Sequence, residues 1–210
     1  NISRMPPVAV LERPIERTKS RSHSLASPLM ELDGMIHELI ADGGPVPSDY
    51  ALLNQKLRHL GDAVRAEVTK RADVLAYAKD LTRRHFEGSM QAMALERKYG
   101  YSGDFEVIDG IYRQRVSSES HLRRWDLFFH AQAAPIAVRN RKAYFQGLLD
   151  EHHATTRSSA MRVLNVASGP ARDLREWMLD NPKADVLFDC VDADVHAIEH
   201  AKTLCQPFSE

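Results

Sequence analysis

The stretch from Met161 to Lys202 constrains the fold more than any other. Val163-Leu164-Asn165-Val166 is a short apolar run rich in β-branched residues, and it predicts a buried strand. Ala167-Ser168-Gly169-Pro170-Ala171 follows as a turn of small residues. Leu174, Trp177 and Met178 then recur at helical spacing until Asn181-Pro182 stops the helix. A second apolar run, Val186 to Val191, ends at Asp192. Strand, small-residue turn, helix and strand make a βαβ unit with an acid after its second strand.

Such a unit has a specific physical use. Small residues let a ligand approach backbone N–H groups, and the helix that follows aims its partial positive charge at the same place. An acid about 20 residues further on accepts hydrogen bonds from ribose hydroxyls. Asp192 follows Gly169 by 23 residues, so a nucleoside-containing ligand is favoured over a plain βαβ turn with none. A dinucleotide site asks for G-x-G-x-x-G, and those positions hold Ala167, Gly169 and Arg172. An Arg in the third place is expected to crowd the helix against the strand, which disfavours NAD and FAD.

The pattern instead resembles the first motif of class I S-adenosylmethionine (SAM)-dependent methyltransferases, a strand ending in an acid and then G-x-G-x-G. Here Asn165 stands at the acid, and Ala167 and Ala171 at the outer glycines. Val191-Asp192-Ala193-Asp194, followed by helical His196 to Lys202, is similar to the second motif. The resemblance implies that Asn165, Ala167, Ser168, Gly169, Asp173 and Ala193 surround SAM and that Asp192 holds its ribose hydroxyls.

The rest of the chain predicts helices. Residues 1–27 are polar and basic, without an apolar leader core, and suggest a disordered tail. The first residue is not Met, which fits a start inside a longer polypeptide. Residues 28–159 suggest a helical cap or bundle. Leu32, Met35, Ile36, Leu39 and Ile40 form one stripe, ended by Gly43-Gly44-Pro45, and Ser48 is a candidate cap for the next helix. Leu53, Leu57, Leu60 and Val64 form a second seam, and Val74, Ala78 and Leu81 a third that runs on to Phe86. Met90 and Met93 suit a core. Tyr99 to Asp104 is a breaker-rich aromatic loop, either a structural turn or a lid that brings Tyr101 over a cofactor. Helices are expected near Phe105–Tyr112, His121–Phe129 and from Pro135 to about Leu149. The last carries Arg139 and Arg141, either solvated or gripping the carboxylate of an amino-acid cofactor. Glu151 to Ala160 suggests a linker, and 160–210 the next domain.

Three segments then come in one order: Tyr99-Gly100-Tyr101-Ser102-Gly103-Asp104-Phe105-Glu106-Val107-Ile108-Asp109-Gly110-Ile111-Tyr112, Ala137-Val138-Arg139-Asn140-Arg141, and Val163 to Leu174. Together they resemble the bacterial methyltransferases of extracellular-factor synthesis, which make 3-hydroxypalmitic acid methyl ester. The resemblance spans about Leu95 to Lys202. It implies an α/β chain, a helical N-terminal region followed by the first βαβα part of a Rossmann-like class I methyltransferase domain. It implies methyl transfer from SAM to a fatty-acid carboxylate, yielding a quorum-sensing ester. A carboxylate is ionised near neutral pH and needs no general base, so no catalytic residue is nominated. The sequence stops where a third strand is expected. This predicts a piece of a larger enzyme, inactive alone, because two parallel strands make a poor sheet. The competing expectation is a non-enzymatic nucleoside-sensing or partner-binding module with a degenerate site.

Composition narrows the classes. With 28 basic and 29 acidic residues, bulk nucleic-acid affinity is not expected. No apolar run approaches the ~20 residues of a membrane span. Two cysteines, Cys190 in a strand and Cys205 in a late helix, make no disulfide framework and suggest a reduced, cytoplasmic setting. His196 and His200 lie four apart but lack the H-E-x-x-H order, so a solvent-facing pair is expected and no metal. Oligomeric state leaves no mark in the sequence.

Overall fold

The computed structural model describes residues 27–155 and 161–208. The expected tail lies almost wholly outside them. The chain is mixed α/β and mostly helical, with one two-stranded parallel sheet. Helices α1 (Ser27–Ala41), α2 (Tyr50–Arg65) and α3 (Arg71–Leu81) come first. A π turn, Thr82–Phe86, extends α3. Then come α4 (Met90–Glu96), α5 (Phe105–Tyr112), α6 (Ser120–His130) and α7 (Ala133–Thr155). The βαβ unit closes the order as β1 (Met161–Val166), α8 (Arg172–Asp180), β2 (Val186–Val191) and α9 (Val195–Cys205).

Two details differ from the sequence reading. Ser48 does not cap α2; Asp49 holds the N-cap place, and its carboxylate accepts from the Val46 N–H at 2.8 Å. α7 does not stop near Leu149 but runs through the expected linker to Thr155, and the linker's remaining residues, 156–160, lie outside the described ones. Polarity alone does not end a helix. Glu151, His152 and His153 all tolerate helical dihedrals, and this stretch contains neither Gly nor Pro.

The apolar stripes assemble into separate cores. Leu29, Leu32, Ile36 and Leu39 of α1 pack with Leu53 and Leu60 of α2, Phe86, and Trp125 and Phe128 of α6. The expected filler Met90 is 1% exposed and packs with Val107 and Ile111 of α5. Asp126 is buried at this junction, and its two carboxylate oxygens accept from Met90 N–H at 2.8 Å and Ser117 N–H at 2.7 Å. It thereby ties the start of α4 to α6, since a buried carboxylate must have its acceptors filled.

The other core belongs to the sheet. Met161 pairs with Val186, and the register runs on to Val166 opposite Val191. Met161, Val163, Val186, Phe188 and Cys190 turn inward onto Leu149, Leu174, Trp177 and Ala201 of the helices α7, α8 and α9. Trp177 is 2% exposed and donates its indole N–H to Asp150 at 2.7 Å. Cys190 is half-buried, and burial pushes its thiol pKa up. The outward residues of the same strands, Leu164, Val166, Leu187 and Val191, are all more than half exposed. No described helix is long and apolar enough to cross a membrane.

Candidate functional site

The C-terminal ends of β1 and β2 open onto a cleft of about 960 Å³. Ligands of parallel α/β sheets bind outside these strand ends. The turn after β1 makes one wall. Ala167 (φ +57°), Gly169 (φ +54°) and Ala171 (φ +53°) are all left-handed. The three positions of the G-x-G-x-G pattern therefore do need the conformation that glycine adopts freely, and two of them hold it with alanine. A Cβ built on Gly169 meets nothing within 4 Å, so its backbone faces open space.

Asp192 joins the two strand ends. Its carboxylate accepts from Gly169 N–H at 2.8 Å and from Asp194 N–H at 2.9 Å. Each oxygen retains a lone-pair direction for a further donor. Asp194 caps α9 by accepting from His196 N–H at 2.9 Å. Asp173, in the first turn of α8, accepts from its neighbour Leu174 N–H at 3.0 Å. Burial raises the Asp173 pKa above the ordinary aspartate value. The Ser168 hydroxyl is buried beside the Cys190 thiol.

The aromatic loop forms the opposite wall. Asp104 caps α5 through Val107 N–H at 3.1 Å, which ends the loop where sequence placed it. Gly100 (φ +86°) and Gly103 (φ +70°) turn the chain on either side of Tyr101. The Tyr101 hydroxyl donates to Asp194 at 2.7 Å, and this bond holds the Asp194 carboxyl below its usual range. Burial and the same carboxylate push the Tyr101 phenol up. Tyr99 lies 5.1 Å from the His196 ring, and Phe105 5.2 Å from that of His200. His196 is exposed and His200 partly so, and both rings also touch the aromatic segment where it packs against α9. Among the described residues, no cluster of three metal-ligating side chains occurs.

Of the sequence-nominated residues, Asn165, Ala167, Ser168, Gly169, Asp173, Asp192, Ala193, Arg141 and Tyr101 all line this cleft. Arg139 does not. Its guanidinium donates to the His130 carbonyl at 2.9 Å, satisfying the C-terminal end of α6. Residues two apart on a helix point to nearly opposite sides, so Arg139 and Arg141 cannot serve one ligand. Arg172 was expected to crowd the strand. It points away instead and forms a two-pronged pair with Asp109 of α5, with one arm at 3.2 Å. Arg113 and His200 each lie 3.8 Å from the same carboxylate.

Sequence reasoning missed Tyr144, Phe145 and Leu148, which line the cleft beside Arg141. Their spacing of three, four and seven from Arg141 is one helical face, and that signal was available. The residues suit a SAM-like group on structural grounds: an open glycine backbone, a carboxylate joining both strand ends and a volume within the range of ligand sites. Compared with protein-family models, with curated proteins and with solved structures, the chain finds no match.

Proposed function

We propose that the chain binds SAM in this cleft as part of a methyltransferase whose acceptor is the carboxylate of a 3-hydroxy fatty acid. The observation that carries the cofactor half is Asp192, bonded to Gly169 N–H and Asp194 N–H and open to the cleft. Its free lone pairs suit ribose hydroxyls. Arg141, the only cationic side chain of the lining among the described residues, suits the amino-acid carboxylate. The acceptor half rests on the resemblance to the fatty-acid methyltransferases and on the apolar wall of Ile108, Leu148 and Val166.

The chemistry SAM supplies is an activated methyl on a sulfonium. Transfer to a carboxylate forms one O–C bond and breaks one S–C bond, and no proton moves. The protein's task is to hold the two groups in line and keep water out. The Tyr99–Asp104 loop, fastened by Tyr101 to Asp194, serves as the cover.

Calorimetric titration of SAM tests the first half. Micromolar binding that Asp192→Asn weakens by about 1–3 kcal/mol is the expected result. No binding to the chain or to a longer form containing it sinks the proposal. Incubation with methyl-labelled SAM and 3-hydroxypalmitate tests the second half, with extractable labelled ester as the readout. One observation favours another reading, a nucleoside-sensing partner-binding module: the exposed apolar face of Leu164, Val166, Leu187 and Val191. Nucleotide binding without ester formation by the longest form would support it.

A further inference from the structure

We infer that the cleft selects its ligand by charge, holding the sulfonium form of the cofactor more tightly than the neutral thioether left after methyl transfer. This rests on the cofactor reading above. Three carboxylates, Asp173, Asp192 and Asp194, line the cleft against one guanidinium, Arg141. None of the three carboxylates forms an ion pair among the described residues, although the charges of Arg141 and Lys142 act on Asp173; their hydrogen bonds come from backbone N–H groups and the Tyr101 hydroxyl.

The aromatic wall acts in the same direction. Tyr99 and Tyr112 already carry lysine ammonium groups over their rings, Lys98 at 5.1 Å and Lys142 at 5.3 Å. Tyr101 and Tyr144 line the cleft and carry no such cation among the described residues. A ring face attracts a soft organic cation much more than the corresponding neutral group. SAM and S-adenosylhomocysteine differ by one methyl and one positive charge, so a lining of excess carboxylate and open tyrosine faces separates them. The product is thereby released rather than retained.

The test is titration calorimetry on the intact chain with three ligands: SAM, S-adenosylhomocysteine, and sinefungin, which carries an amine in place of the sulfonium. The expected order is SAM and sinefungin together, about tenfold tighter than S-adenosylhomocysteine. Tyr144→Ala, an exposed side chain whose loss leaves the fold intact, narrows the gap by weakening the two cations alone. Asp173→Asn narrows it further. S-adenosylhomocysteine binding as tightly as SAM, or more tightly, overturns the inference and leaves the cofactor reading standing. Failure of all three to bind overturns both.

Discussion

At the scale of single residues, the site is held at a cost to stability. Ala167 adopts φ +57°, which costs an L-residue about 1–2 kcal/mol relative to glycine. Ala167→Gly removes that strain but adds freedom to the unfolded chain, an offset of about 0.4–1 kcal/mol. The expected net gain is roughly 0.5–1 kcal/mol in chemical denaturation, and a loss of stability would contradict the strain argument. Ala171 differs because its methyl is buried at 1% exposure, so Ala171→Gly also forfeits about 0.8 kcal/mol of burial and gains little or nothing. Asp173 carries a cost of another kind. Its folded pKa lies above the unfolded value of about 3.8, because burial penalises the carboxylate. The contribution of Asp173 to stability is therefore fullest below that value and is lost as pH rises through the folded pKa. Asp173→Asn should raise the melting temperature at pH 7, with the gain vanishing as pH falls below the ordinary aspartate value. A gain that stayed constant with pH would exclude this origin.

Between elements, side-chain pairs distant in sequence align α5 and the loop before it with the βαβ unit. Asp109 and Arg172 are 63 residues apart and are 9% and 12% exposed as side chains. Removing one partner of a buried pair strands the other, a cost of about 3–5 kcal/mol. Asp109→Asn should therefore destabilise strongly by denaturant titration. The double variant Asp109→Asn, Arg172→Met should cost less than the sum of the two single changes, and strict additivity would mean that the pair does not couple. These joints explain what the sequence concealed. The β-branched run of β1, the Asn181-Pro182 stop, the acid after β2 and the helix starting at Phe105 are local signals, and each was legible. The Tyr101–Asp194 bond spans 93 residues and depends on how α9 lies against the loop, which no local pattern encodes. Arg139 and Arg141 are neighbours in the chain but face different sides of α7, so only Arg141 lines the cleft. Arg172 was misjudged because a long side chain can leave a crowded turn when an acid waits outside it.

Over the whole molecule, burial is uneven. The first helices enclose a core of Leu29, Leu53, Trp125 and their neighbours, drawn from α1, α2, the end of α3, the π turn and α6. The sheet is sealed on one face only. Parallel strands in stable proteins are covered on both faces, because each face offers apolar side chains to water when bare. Here Leu164 is 66%, Val166 68%, Leu187 51% and Val191 53% exposed, and each strand has a single neighbour. The cleft is thus built on the less buried half, with its lining drawn from the turn after β1, the segment after β2 and the aromatic loop. Local opening energy falls where few apolar contacts cover the backbone hydrogen bonds. Amides of β1 and β2 should therefore exchange with deuterium faster than those of α1, α2 and α6 under native conditions. On the proposed cofactor reading, saturating SAM should slow exchange at Gly169 and Asp194, whose N–H groups are already bonded to Asp192, more than in α1. Strand amides among the slowest in the free chain would show that one-sided cover suffices. Equal slowing across the chain would mean that the ligand stabilises the molecule globally rather than closing the cleft.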